Sequence, residues 1–244
     1  MRYLVIILAL LACVTSINAQ WWGGDKKIKG NGKNITEKRS VSSYDYVEVS
    51  GSMNVQLVEG PEGNLVVEAE ENLLKYIITE VNDNGLHIKM KKGFYIQPSL
   101  SNKAFKITVP FKEIENVSLQ GSGKIYADDI IKADSFSVKL SGSGKIDLEL
   151  ETQKTYASIV ESGDVKLKGH TNEIDSKMMG SGDLHASGFK AKEAFATITG
   201  SGDISLYVEE FIKARVTGSG DIRYLGNPER EDKKVIGSGD ITIR

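Results

Sequence analysis

From Val117 onward, apolar and polar residues alternate around a break that keeps returning. Gly121-Ser122-Gly123-Lys124-Ile125 recurs as Gly142-Ser143-Gly144-Lys145-Ile146, as Glu161-Ser162-Gly163-Asp164-Val165 and as Gly180-Ser181-Gly182-Asp183-Leu184. Gly200-Ser201-Gly202-Asp203-Ile204, Gly218-Ser219-Gly220-Asp221-Ile222 and Gly237-Ser238-Gly239-Asp240-Ile241 complete the series. Successive copies begin 21, 19, 19, 20, 18 and 19 residues apart. Two residues ahead of each stands an apolar residue: Leu119, Leu140, Ile159, Met178, Ile198, Val216 and Val235. Two residues past each lie Ala127, Leu148, Leu167, Ala186, Leu206, Tyr224 and Ile243. The position three ahead is polar: Ser118, Lys139, Ser158, Lys177, Thr197, Arg215 and Lys234. A period of two on both sides of each break is the strand signature.

Each Gly-Ser-Gly then reads as a corner between two strands, because glycine permits backbone angles that a Cβ would block. Independent hairpins would vary in turn type and spacing. One corner at one period instead predicts stacked coils, each strand pairing with its equivalent a coil later at a rise of about 4.8 Å. The expectation is an all-β parallel β-helix with coils of about 19 residues and apolar ladders inside. No six-residue subrepeat of the hexapeptide acyltransferase kind is present. The amino-terminal part joins the same object through Val47-Glu48-Val49-Ser50-Gly51-Ser52-Met53-Asn54-Val55-Gln56-Leu57, which fits the template. Asn82-Asp83-Asn84-Gly85 predicts a hairpin turn and Glu71-Asn72-Leu73-Leu74-Lys75-Tyr76 a helical turn. The polar residues 20–43 are expected to form a loose leader, with one domain over 44–244.

Of 244 residues 40% are hydrophobic and 26% charged, a globular composition. Lys and Arg total 31 against 33 Asp and Glu, so no basic excess points to nucleic acid. One Cys and three His exclude a cysteine-rich zinc site, a disulfide framework and a Cys-His catalytic pair. Residues 1–19 read as an export signal: Arg2, an apolar run over 4–14, then Ile17-Asn18-Ala19 before a cleavage that leaves Gln20 first. A second reading takes Leu10-Leu11-Ala12-Cys13 as a lipobox that would anchor the chain at Cys13. No later segment is apolar enough to cross a membrane. Both readings place the protein outside the cytoplasm, in the periplasm, on the outer-membrane surface or in the medium.

Together, the repeated corners, Tyr46-Val47-Glu48-Val49-Ser50-Gly51, Asn72-Leu73-Leu74-Lys75-Tyr76-Ile77 and Ile107-Thr108-Val109-Pro110 resemble the family of auto-transporter adhesin, head GIN domain proteins. The likeness covers about residues 44–224. It implies an exported, single-stranded right-handed β-helix of pectin-lyase shape, lacking the lyase catalytic residues, from Bacteroidetes-type bacteria. Asn18-Ala19-Gln20 is similar to cleavage sites of such organisms. The implied role is adhesion. Glu161 in place of a corner glycine, and Lys124 and Lys145 in place of Asp, depart from a uniform ladder.

The sharpest candidate chemistry is the row Asp164, Asp183, Asp203, Asp221 and Asp240, stacked at roughly 5 Å. Like charges in register destabilise a sheet, and calcium could offset them. The competing expectation has each Asp capping its own turn through a backbone N–H. Calcium-binding nonapeptide repeats place a glycine turn every nine residues, unlike this chain. Tyr126, His185 and Arg223 share an outward column that could hold sugar, and Lys139, Lys177 and Arg215 with Lys234 could hold an anionic glycan. Asp128-Asp129 is the one adjacent aspartate pair. No catalytic residue, cofactor or firm metal site is assigned. The reading is a non-enzymatic, adhesin-like or envelope-associated module that presents parallel-sheet faces to a glycan or surface protein. The alternatives are a carbohydrate-active enzyme of pectin-lyase shape and a purely structural envelope protein.

Overall fold

The computed structural model describes residues 26–99 and 105–244. The export signal, its Ala19–Gln20 junction and Cys13 lie outside the described residues. Among the described residues eighteen strands are present, and most belong to one solenoid. Its repeating body is β11 (Lys124–Gly142), β12 (Lys145–Glu161), β13 (Asp164–Gly180), β14 (Asp183–Gly200) and β15 (Asp203–Gly218). Each runs almost a full coil and pairs in parallel with the next. The last coil is split into β16 (Ile222–Leu225), β17 (Arg230–Gly237) and β18 (Ile241–Ile243).

The ladders follow the sequence period. Ile125, Ile146, Val165, Leu184, Ile204, Ile222 and Ile241 pair in one continuous column. Leu119, Leu140, Ile159, Met178, Ile198, Val216 and Val235 form a second. Ile204 and Val216 are each 1% exposed, whereas Lys139 points to solvent. Strand alternation therefore sends one side chain in two to the core, and stacking makes each buried column uniform. At the bend opposite the corner the interior turns polar. Thr152, Thr155 and Thr171 are buried there, and the Thr152 hydroxyl lies 2.7 Å from that of Thr155 and 2.9 Å from that of Thr171. Their hydroxyls satisfy one another, which removes most of the penalty of burying them.

The two corner glycines serve different purposes. Gly200 has φ +136°, a region that disfavours side chains, as do its equivalents Gly121, Gly142, Gly180, Gly218 and Gly237. Gly202 has no such angle. A Cβ there would sit 2.1 Å from the carbonyl oxygen of Gly182 one coil below. The same close approach governs Gly123, Gly144, Gly163, Gly182, Gly220 and Gly239. For this second glycine the expected reason, backbone angle, is thus corrected to close packing of coil on coil. Glu161 occupies the first-glycine position at φ +80°.

The amino-terminal portion is an insertion rather than more coils in sequence order. β3 (Tyr46–Ser50) and β4 (Asn54–Glu59) make a coil whose neighbours are β10 (Asn116–Gln120) and the start of β11. Residues 60–115 leave and return. Within them β7 (Gly85–Met90) lies parallel on β3, and β9 (Phe105–Phe111) lies parallel on β4. β6 (Ile77–Asn82) folds back on β7 through a turn with positive φ at Asp83 and Asn84. Before it, Leu74–Tyr76 make one 3-10 turn. β5 (Asn64–Glu70) runs antiparallel to β9, and β2 (Asn34–Ser40) runs antiparallel to β5. β1 (Lys26–Lys29) pairs in parallel with β8 (Phe94–Gln97). So residues expected as a loose leader form two strands instead, because Ile28 and Ile35 pack against the core. Gly32 and Ser99 are tied down by the buried Glu70 carboxylate, which accepts the Gly32 N–H and, at 2.7 Å, the Ser99 N–H and hydroxyl.

Candidate functional site

Two outward surfaces flank the glycine corner, and both carry residues singled out by sequence. On the far side lie Lys124, Lys145, Asp164, Asp183, Asp203, Asp221 and Asp240. Register stacks Lys145 on Asp164, Asp164 on Asp183 and Asp183 on Asp203. Asp183, Asp203 and Asp221 do not cap their own turns. Asp183 Oδ1 accepts the backbone N–H of Asp203 at 3.2 Å. Asp203 accepts that of Asp221 at 3.0 Å, and Asp221 that of Asp240 at 2.9 Å. These three carboxylates therefore clip their coils to the next. Asp240 instead accepts from Ile241 in its own chain segment at 2.8 Å.

The repulsion along this row is offset by cations from the protein. Lys145 Nζ lies 2.8 Å from Asp164. Arg223 forks between Asp203 at 2.8 Å and Asp221 at 2.6 Å. Partial burial pushes the Asp203 carboxyl up, but the Arg223 hydrogen bond, the Asp221 N–H and the Arg223 charge outweigh it and hold the group below the ordinary aspartate range. Arg223 is raised in turn, first by its hydrogen bond to Asp203 and then by that charge. Among the described residues no group of three or more His, Cys, Asp or Glu has the geometry to hold a metal ion.

The next outward column holds Tyr126, Asp147, Lys166, His185, Ser205 and Arg223 in register. Its three sequence candidates share a column without forming one site. Lys124 Nζ sits 4.8 Å over the Tyr126 ring, and Arg223 is engaged by the aspartates. Asp128 and Asp129, at the register shift of β11, are also occupied: Asp128 accepts from Gln56 Nε2 at 2.7 Å and Asp129 from the Glu59 N–H at 2.9 Å.

The near side is a flat parallel-sheet face of three outward columns. The first is Glu48, Ser118, Lys139, Ser158, Lys177, Thr197, Arg215 and Lys234. Lys177 leans on Asp175 at 3.5 Å, and Arg215 pairs with Asp232 and donates to its carbonyl at 2.8 Å. The second column includes Ser141, Val160, Met179 and Thr199, and the third includes Tyr156, Asp175 and Phe195. Met179 is 55% exposed and Tyr156 42%. A shallow depression runs across the coils between Glu48, Ser118, Gln120, Lys139, Ser141 and Val160. Sequence reading found the basic column here and missed the apolar one. The available signal was Tyr156, Val160 and Met179 standing at the polar phase of their strands.

The "Putative auto-transporter adhesin, head GIN domain" family model matches residues 43–228. The chain belongs to this family. Among solved structures, this head GIN chain is similar to a putative adhesin from Bacteroides fragilis, at 25% identity and a TM-score of 0.84, with 89% of this chain and 100% of that one covered. It is also similar to a putative lipid binding protein from Parabacteroides distasonis, at 27% identity and a TM-score of 0.75, with 90% and 100% covered. A putative adhesin from Parabacteroides merdae shares the fold at 24% identity and a TM-score of 0.72, with 90% and 99% covered. No curated protein matches the chain. No helix among the described residues is long and apolar enough to cross a membrane.

Proposed function

We propose that this head GIN protein is an exported, non-enzymatic binding module that holds a glycan or surface protein on its near-side sheet face. The observation that carries the reading is the exposure of Tyr156 and Met179, with half-buried Val160 beside them, in phase with rows of serine, threonine and lysine. Apolar rings and methyls beside hydroxyls and cations suit a partner with both apolar and polar surface. The face is rigid, since every residue in it stands on a paired strand, so binding orders little of the module itself. The adhesin relatives support the same reading, and the export signal supports its place outside the cytoplasm.

The test is a glycan and surface-protein array probed with the purified protein and with a Tyr156→Ser/Met179→Ser variant. A partner held on this face should bind the parent and lose about tenfold or more in the variant. Unchanged binding would move the site elsewhere. Release of reducing sugar from any glycan on the array would replace the binding module with an enzyme.

A further inference from the structure

The amino-terminal end of the solenoid carries a second surface, distinct from the near-side face. In β1 and β8, Lys27 pairs with Tyr95 and Lys29 with Gln97. Paired residues of parallel strands point the same way. These four are exposed, while Ile28, Phe94 and Ile96 on the opposite side are partly buried. The small sheet is thus amphipathic, and its outer side combines lysine with an aromatic ring. Tyr95 is 59% exposed, more than Tyr156, Met179 or Ile236. The Lys26 N–H donates to the Gly93 carbonyl at 3.1 Å, which brings exposed Lys91 and Lys92 beside this strand. Behind it, the Tyr76 and Phe94 rings meet at 4.8 Å, with Lys75 Nζ 5.3 Å from the first and Lys91 Nζ 5.8 Å from the second.

Charge is concentrated here. Residues 26–40 and 75–97 hold ten Lys or Arg against three Asp or Glu, in a chain of net charge −2, and Glu68, Glu70 and Glu71 of the intervening segment lie against β2 and the residues before it. Glu71 engages Lys33 and Glu80 engages Lys89. Lys26, Lys27, Lys29, Lys75, Lys91 and Lys92 make no ion pair among the described residues.

We infer that this end docks on an anionic lipid bilayer, with lysines against the headgroups and Tyr95 at the interface. Lysine near an anionic leaflet and an aromatic ring at headgroup depth are the two elements of interfacial binding. A polyanion in solution would use the lysines alone and leave an exposed ring without a role. Docking at this end would stand the solenoid on the membrane and leave the near-side face free along its length.

The test is co-sedimentation of the purified protein with vesicles of phosphatidylethanolamine and phosphatidylglycerol, beside vesicles of phosphatidylcholine alone. Binding should be confined to the anionic vesicles and should fall as salt rises from about 0.05 to about 0.5 M. A Lys27→Glu/Lys29→Glu/Lys91→Glu/Lys92→Glu variant should bind at least about a hundredfold more weakly. These four side chains are exposed, so an unchanged melting temperature verifies its fold. Tyr95→Ser should weaken binding about fivefold. Lys139→Glu/Lys177→Glu, on the near-side face, should bind as the parent does. The inference fails if the parent ignores anionic vesicles or binds phosphatidylcholine equally, if the quadruple variant is unaffected, or if reversal at Lys139 and Lys177 has the same effect. It also fails if dextran sulfate binds as tightly as vesicles and Tyr95→Ser changes neither. None of these outcomes bears on the near-side face, whose own variant is read separately.

Discussion

The two ends of the solenoid solve the same problem differently. Ending a stack of coils exposes core ladders and a row of unpaired backbone groups. At the amino-terminal end, residues 60–115 supply β7 and β9 to cover the first coil, then β6 and β5 in antiparallel pairing, with β2 outside β5. Val47, Val55, Leu65 and Leu86 are all fully buried beneath this cap. At the carboxyl side no such layer covers the last coil among the described residues, and all eight residues of β17 are exposed. There the core columns change composition. Ile212 and Ala214, both 0% exposed, pair with Glu231 and Lys233 in the last coil. Lys233 Nζ lies 2.6 Å from Glu231 and 2.9 Å from the Tyr224 hydroxyl, which itself donates to Glu231 at 2.6 Å. One end is thus closed by added chain, the other by a charged lid written into the repeat. In the column of Ala214 and in that of Ile212, charge enters only at the last coil, where burial ends.

Matched substitutions in one column break or sharpen that comparison. Leu206, Tyr224 and Ile243 are paired neighbours, with Leu206 1% and Ile243 52% exposed. Leu206→Asp should cost about 4 kcal/mol or more and prevent cooperative folding, since it buries an unpaired charge. Ile243→Asp should stay within about 0.5 kcal/mol. Equal losses in urea melts would mean that the last coil is as sealed as the middle.

The corner gives a smaller contrast. A Cβ on Gly202 would meet Gly182 O at 2.1 Å and Met178 Sδ at 2.4 Å, and one on Gly239 would meet Gly220 O at 2.0 Å. Gly202 is clamped between coils, so Gly202→Val should lose about 3 kcal/mol. Among the described residues β18 pairs with β16 alone and can shift, so Gly239→Val should lose about 1 kcal/mol or less. Thermal melts that rank the two the other way would show that the terminal coil cannot yield.

The smallest effect lies in the aspartate row. The folded-state pKa of Asp203 is depressed, so its contribution is complete above the ordinary aspartate range, near pH 4. It is lost as pH falls through the lower folded-state value. Asp203→Asn should therefore show a shallower loss of stability on acidification than the parent. Because the Asp203 side chain is 41% exposed, the gap should stay below about 1 kcal/mol. Millimolar calcium should leave the melting temperature of both unmoved. A steeper acid limb in the variant, or a calcium shift that it abolishes, would reverse the assignment of the row.

What could be read in advance follows the repeat. The column from Ile125 to Ile241 and that from Leu119 to Val235 were legible because each coil repeats its neighbour's chemistry. The pairing of Val47 with Val117 was not, since a 56-residue insertion separates the elements and nothing local encodes which coil they join. β1 and β2 escaped notice because their alternation rests on single isoleucines among glycine and lysine. The aspartate row was legible as a row. Its hydrogen bonds crossing between coils depend on where the next N–H stands, which spacing alone does not say.

The open end also sets how the molecule answers a pull. β18 is held to the body by the three residue pairs it forms with β16, and β17 by its pairs with β15. Tension applied at Arg244 against a fixed amino-terminal end would strip these first, pair by pair, while the capped end stays sealed. A freed 19-residue coil lengthens the tether by roughly 65 Å. Coils held this way would yield in graded steps and could rewind on those that remain.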